Sequence, residues 1–469
     1  MSKADFASLQ QHWSNVAKTW NQPILTLFRP RSWSRPLSAL AAFLILSFIV
    51  IIILYTRPAN SPYDSGIVLP VDTTPTHART YPAAVVSFWT TFAHHLETAR
   101  PRCKPIEVNG DMDIGRAKFE PMYHRKPRID YITLDETDFY DLRDPHRYMA
   151  DISRKMAKQI PYQRNTRGIV TAAGGGRYFG PLVVSLRMLR RTGSKLPVEV
   201  FLSSWAEYDQ QLCEHILPQL NAKCRILSDM FSLTPALDIV SDYQYKVFAI
   251  LFSSFEDVFF LDADSFPVIN PDPVMTIDPF KSLGLVTWPD MWAQTSSKWF
   301  FAIAGVPCPP VNRFSTDGGQ ILYSKRKHGA SLLLATYYNY YGPDYYYRLQ
   351  SQNAWGQGDK ETFLHAALAL NMPFYDVKTA LWNVGQWESE SNFRHVGMAQ
   401  YHPGDEYSLS QGMVNAGHKI RPFVMHNNYP WKLDPQRIME EEPPTRHPNG
   451  SYWRLWGTKE DIIESLGDT

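Results

Sequence analysis

Val258-Phe259-Phe260-Leu261-Asp262-Ala263-Asp264-Ser265 is the stretch on which the reading of this chain turns. Its apolar first half predicts a short buried strand, and its second half places two carboxylates one residue apart where that strand ends. Alternate side chains of an extended chain point the same way, so Asp262 and Asp264 are expected to face one site together. Two hard oxygen donors suit Mn²⁺ or Mg²⁺. Such an ion can neutralise the diphosphate of a nucleotide-sugar leaving group. A lone Asp-x-Asp is more often a solvated turn, because turns collect Asp. The surroundings therefore decide.

Upstream, strands at 168–172, 197–202 and 224–227 alternate with helices at 182–191, 206–218 and 243–254. This order predicts an α/β domain with a largely parallel sheet. Ligands of such sheets sit beyond the carboxyl ends of the strands. The run Gly174-Gly175-Gly176-Arg177-Tyr178 falls at one such end. Its glycines let backbone N–H groups approach a phosphate or base, which makes Gly174, Gly175 and Tyr178 donor-site candidates. The run matches neither G-x-G-x-x-G nor the Walker A pattern, and a tight strand–helix turn would look the same. Lys246 lies on the helix before the Asp-x-Asp strand and either faces the cleft or reaches solvent.

Downstream, Trp288-Pro289-Asp290 and Trp292 follow a strand-like run, 284–287. Trp288 and Asp290 are read as stacking on and hydrogen-bonding a hexose, with a structural Trp corner as the other reading. Asp317-Gly318-Gly319-Gln320 sets Asp317 and Gln320 on a glycine turn suited to hydroxyl recognition. Gly358-Asp359-Lys360-Glu361 opens a helix, so Asp359 is either a helix N-cap or a carboxylate aimed at the site. His426 follows a strand, 423–425, and a neutral imidazole there would complete an Asp262/Asp264/His426 metal set. Lys432 follows it as a further donor-site candidate.

The remaining features bound the setting. The 469 residues carry a formal net charge of +1, which gives no electrostatic case for a nucleic-acid partner. Residues 37–55 are free of charge, long enough at ~1.5 Å per residue to span a bilayer core of ~30 Å. Lys3, Lys18, Arg29, Arg31 and Arg35 precede that run and Arg57 follows it. The positive-inside rule then predicts a cytosolic tail (1–36), a single-pass type II anchor (37–55), a lumenal stem (56–100), Pro- and Thr-rich over 56–82 with a helix over 83–100, and a lumenal domain (101–469). From 101 to about 165 the chain reads as polar and irregular. None of Cys103, Cys213, Cys224 and Cys308 has zinc-site spacing, and Cys213 with Cys224 reads equally as a disulfide or as two thiols. Asn449-Gly450-Ser451 is a glycosylation sequon, in keeping with lumenal placement. The EF-hand spacing of acids is absent, which argues against a calcium module.

Taken in order, several blocks resemble a family. They are Arg187-Met188-Leu189-Arg190-Arg191 with Leu196-Pro197-Val198-Glu199, Lys246, Ser253-Ser254-Phe255 before Leu261-Asp262-Ala263-Asp264, Trp288-Pro289-Asp290, and Gly358-Asp359-Lys360-Glu361-Thr362-Phe363. Over residues 165–430 the chain resembles the fungal Golgi α-mannosyltransferases that build mannan side branches. The run Tyr341-Gly342-Pro343-Asp344-Tyr345-Tyr346-Tyr347 is closer to the α-1,2 branch-initiating members. The resemblance implies a GT-A-type fold, GDP-mannose as donor, a mannose-containing glycan as acceptor, Mn²⁺ or Mg²⁺ as metal and association with other Golgi mannosyltransferases. It also implies that Asp262 and Asp264 form the metal and donor site, and that Asp359 stands against the donor sugar. Transfer from a UDP-sugar, an α-1,3 linkage and a catalytically silent lumenal glycan-binding protein are the alternatives.

Overall fold

The computed structural model describes residues 81–112, 128–238, 240–309, 313–389 and 392–427, with backbone alone at 175–177, 386–389 and 392–394. The apolar run 37–55, Lys432 and Asn449 lie outside the described residues. Among the described residues no helix is long and apolar enough to cross a membrane.

Two helices, α1 (Ala83–Thr98) and α2 (Glu136–Met156), precede the sheet. The chain then runs through β1 (Gln163–Ala172), α3 (Gly175–Arg191), β2 (Val198–Leu202), β3 (Ala222–Ile226), α4 (Tyr245–Phe252), β4 (Phe255–Leu261) and the short β5 (Ser265–Pro267). After these come β6 (Leu285–Ala293), α5 (Lys298–Ala304), β7 (Phe314–Ser324), α6 (Lys325–Tyr340) and α7 (Thr362–Ala369). The last elements are β8 (Tyr375–Asp376), β9 (Trp382–Ser389), β10 (Asn392–Tyr401), α8 (Pro403–Ser410) and β11 (Pro422–His426).

The main sheet has the order β3-β2-β1-β4-β7-β6-β8. Strands β3, β2, β1 and β4 are parallel, and the expected largely parallel α/β sheet is present. One strand is reversed: β7 is antiparallel to both β4 and β6. The reversal pairs the second half of β7 with β4, Leu261 opposite Gln320, and carries its first half past the carboxyl end of β4. A second sheet, β5-β11-β10-β9, starts at the Asp-x-Asp turn itself, and its antiparallel register sets Ser265 opposite His426.

Helices cover both faces of the main sheet, as strands with apolar residues on both sides require. Beneath it α1, α2, α4, α6 and α7 share one core with Val258 and Phe260 of β4. Above it Leu182, Leu186 and Leu189 of α3 pack with Phe259 and Leu261. Helix α6 is buried on every side, from Leu332-Leu333-Leu334 to Tyr337 and Tyr338. The tyrosine run that follows it is core as well, since Tyr345, Tyr346 and Tyr347 are all buried.

Three expectations are corrected. The segment read as irregular contains α2, whose buried residues Leu142, His146, Met149, Ser153 and Met156 recur at helical spacing. Its many charges and the internal Pro145 hide that stripe, and Asp135 caps it by accepting from Asp138 N at 2.8 Å. Residues 83–98 form the helix expected there, but it packs as core and not as stem: Trp89, Phe92 and Leu96 are fully buried, and the Trp89 indole donates to Met230 O at 3.0 Å. The helix expected at 206–218 is broken into short turns, Trp205–Glu207 and the widely wound Gln211–Ile216. Cys213 and Cys224 form a disulfide that ties the second turn to β3.

Candidate functional site

Asp262 and Asp264 converge, but not by extended alternation. The chain turns after β4, with Ser265 N donating to Asp262 O at 2.9 Å. Ser185 of α3 pins the turn by donating to Ala263 O at 2.7 Å. His426 arrives on β11 through its pairing with β5. Ligand atoms of Asp262, Asp264 and His426 then all lie within 4.8 Å of one another. Two carboxylates and an imidazole are donors suited to a divalent ion such as Mn²⁺, so these residues fit the expected metal.

The histidine is held from behind by β7. Asp317 Oδ1 lies 3.1 Å from His426 Nδ1, which leaves Nε2 on the side of Asp264 at 3.6 Å. Burial disfavours the imidazolium, but Asp317 and Asp264 outweigh it and push His426 up to about 9. Burial likewise opposes a charge on Asp317, yet His426 and the hydrogen bond from Gly319 N hold its carboxyl well below the usual range. Asp317 also accepts from Gln320 Nε2 at 2.9 Å and Gln400 Nε2 at 2.8 Å. Gly319 is required by close approach: a Cβ there would stand 2.5 Å from His426 Nδ1.

Lys246 links the metal side to a second carboxylate. Its ammonium lies 3.4 Å from Asp262 and 3.2 Å from Asp359, and donates to Gly318 O at 2.6 Å. Burial works against the charge, but Asp262 and Asp359 more than offset it and keep Lys246 above the ordinary lysine range. Burial lifts the Asp359 carboxyl above its ordinary value, with Lys246 pulling the other way. The loop presenting Asp359 turns through Gly358 at φ +119°, pressed so closely on Tyr243 that a Cβ would come within 2.9 Å of the ring.

Several candidate roles change. Asp359 does not cap α7, because the N-cap position belongs to Glu361 and no side chain caps there. Glu361 instead accepts from Thr316 N at 2.6 Å and pairs with Arg313. Trp288 offers no face to a sugar: it is fully buried, its ring is stacked on Phe423 and its indole donates to Tyr401 O. Asp317 and Gln320 are buried behind His426, Asp317 bonding the imidazole and Gln320 donating to Asp317. Asp290 is buried in an ion pair with Lys360 at 2.7 Å. Gly174, Gly175 and Tyr178 lie at the carboxyl end of β1, next to β4, but the glycines begin α3 and do not form a loop. Two contributors escaped the sequence reading. Lys360 was legible only as the neighbour of Asp359, and Gln400 sits one residue before the end of β10 with no local signal at all.

The family model described as "Mannosyltransferase putative" matches residues 166–315 and 310–402, together just over half of the chain. The chain is 35% identical over 318 residues to the α-1,2-mannosyltransferase MNN24 of Candida albicans, a match covering 60% of this chain and 45% of that protein. It is 30% identical over 418 residues to the α-1,2-mannosyltransferase MNN21 of the same organism, covering 74% of this chain and 62% of that one. The chain thus spans less than two thirds of either relative. Among solved structures it is similar to the glycosyltransferase GlyE of Streptococcus pneumoniae TIGR4, at a TM-score of 0.30 and 13% identity over 46% of each chain.

Proposed function

Because the chain belongs to the mannosyltransferase family whose model spans residues 166–402, we propose that it moves mannose from GDP-mannose to mannose residues of a glycan, forming an α-1,2 linkage. The observation that carries this reading is the convergence of Asp262, Asp264 and His426 at the end of β4. A GT-A-type donor site is the arrangement it supports. Asp262, Asp264 and His426 would hold Mn²⁺ or Mg²⁺. The bound ion would supply charge neutralisation to the departing diphosphate.

The other steps fall to the chain's own groups. GDP-mannose carries an α-phosphate and the product is an α-mannoside, so the anomeric configuration is retained. Same-face attack achieves this without a covalent intermediate: the acceptor hydroxyl bonds to the anomeric carbon as the bond to the diphosphate breaks, and its proton passes to the diphosphate oxygen. Asp359 orients donor hydroxyls and stabilises the positive charge that develops on the sugar ring. Lys246 holds Asp262 and Asp359 at a fixed separation. The Cys213–Cys224 disulfide supports an oxidising compartment. With the charge pattern around 37–55, it supports a lumenal domain on a type II anchor, and the family resemblance supports the Golgi as its place.

The test is incubation of the purified chain with GDP-mannose, UDP-glucose or UDP-N-acetylglucosamine, each with Mn²⁺ and mannose oligomers, followed by linkage analysis. An α-1,2-mannoside formed from GDP-mannose alone, and lost on chelation, is the expected result. Transfer from a UDP-sugar in preference, a β-linked product or no transfer at all overturns the reading.

A further inference from the structure

Tyr243 and Trp355 are the most open of the exposed aromatic side chains among the described residues, at 56% and 51% exposure. Both stand at the Asp359 loop, Trp355 within it and Tyr243 against it from the turn before α4. Tyr243 is the ring against which Gly358 is pressed, and Trp355 stands four residues before Asp359. Trp355 is backed by Trp292, with ring centroids 6.2 Å apart and planes 31° from parallel. Trp292 in turn packs against the buried pair Met112 and Ala354, so the platform is anchored from within. Gly356, beside Trp355, turns at φ +68°, and a Cβ there would meet Lys360 Nζ at 2.7 Å and Asp290 Oδ2 at 3.3 Å. Two exposed rings therefore stand beside the buried Asp290, Asp359 and Lys360.

This mixture matches one ligand chemistry. A pyranose ring has a face of C–H groups and an edge of hydroxyls. The first packs on an aromatic face, and the second needs charged or polar partners. A protein or membrane partner would instead be met by a broad apolar patch. We propose that Trp355, supported by Trp292, together with Tyr243 forms the acceptor subsite, in which a mannopyranose ring of the acceptor glycan stacks on Trp355 beside Asp359. The subsite rests on the mannosyl-transfer reading for the identity of the sugar, and on geometry for its position.

The experiment titrates the full chain with an α-linked mannose disaccharide by saturation-transfer NMR and calorimetry, and separately with GDP and Mn²⁺. The same titrations are run on Trp355→Ala, Trp355→Phe and Tyr243→Ala. Trp355→Ala should weaken disaccharide binding about tenfold, in line with the loss of one aromatic stacking contact. GDP affinity should hold, and Trp355→Phe should recover most of the loss. Tyr243→Ala should weaken the disaccharide in the same sense. Disaccharide affinity that ignores both alanine substitutions overturns the subsite, as does an equal loss of GDP affinity. A wild-type chain that binds the disaccharide through Trp355 yet transfers no mannose leaves the subsite standing and overturns the transfer reading. Mannose transfer whose acceptor KM is blind to Trp355 does the reverse.

Discussion

The polar groups around α6 and those at the end of β4 are buried to a similar depth, but opposite forces set their charge. Around α6, burial prevails. Tyr338 and Tyr346 are pushed well above the usual tyrosine range, and burial takes His146 down to about 4. Each group stays neutral with a modest partner: Tyr337 donates to Ala99 O, Tyr341 to Leu96 O, and His146 faces Tyr338 Oη at 2.7 Å. At the end of β4, charged partners prevail. Burial is resisted at Lys246 by Asp262 and Asp359, and at Asp317 by His426, while at Asp359 it still outweighs Lys246. Sustained ionisation in a buried place is costly, and it marks where the fold has been shaped for chemistry.

The sharpest way to break this comparison is Asp264→Ala. Transfer should fall by at least about a thousandfold, because the diphosphate loses its charge partner. The metal-free thermal midpoint should hold, since removing one buried anion leaves the core intact. A collapsed midpoint would make Asp264 structural, like the tyrosines. Trp89→Ala is the mirror experiment. It should cost about 3–5 kcal/mol in denaturant unfolding, the usual range for a fully buried aromatic. GDP affinity per folded molecule should remain. Loss of GDP binding in molecules that stay folded would join the two regions into one.

Asp317→Asn tests the support behind His426. Mn²⁺ affinity should drop about 10–100-fold, as for other groups that orient a ligating histidine. Calorimetry reads this directly, and excess Mn²⁺ should restore transfer. An unchanged affinity would remove Asp317 from the metal site.

The last effect is read as a slope in pH. The unfolded chain takes up a proton at His146 near pH 6.5, while the folded chain resists until about 4. Folding stability contributed by the neutral ring is therefore complete above pH 6.5 and is lost as pH falls toward 4. The loss is on the order of 3 kcal/mol. His146→Phe should flatten this slope in part. His365, which burial lowers to about 3, accounts for a second proton in the same window. An unchanged slope in His146→Phe would show that His146 does not titrate with unfolding.

How much of this was legible follows the range of the interactions. The β4 run and the two aspartates after it are local: the strand and the closeness of the carboxylates were legible, but not the turn that brings them together. The order of alternating elements is local too, and the largely parallel sheet follows from it. The role of Asp317 was not legible, because it depends on β7 running backwards beside β4, with Leu261 opposite Gln320. Trp288 misled for a related reason: its partners Phe259 and Phe423 come from distant strands, so an aromatic next to Pro289 and Asp290 looked like a sugar-binding corner. Helix α2 was hidden by its own charges, although its apolar spacing is regular. His426 was guessed from residue type, and only the β5–β11 register supplies the reason it arrives.

The bare backbone at Gly319 has one more consequence. The His426 ring lies where any other residue would carry its first side-chain carbon, so it is wedged between two sheets with no clearance. Asp317 fixes its rotation from behind. A jammed ring has already lost its freedom when the chain folds, and ion capture has little left to order. The site is then a rigid gauge. It should discriminate among divalent ions by size more sharply than a set of loose loop ligands would, and a single methyl group at position 319 should be enough to spoil it.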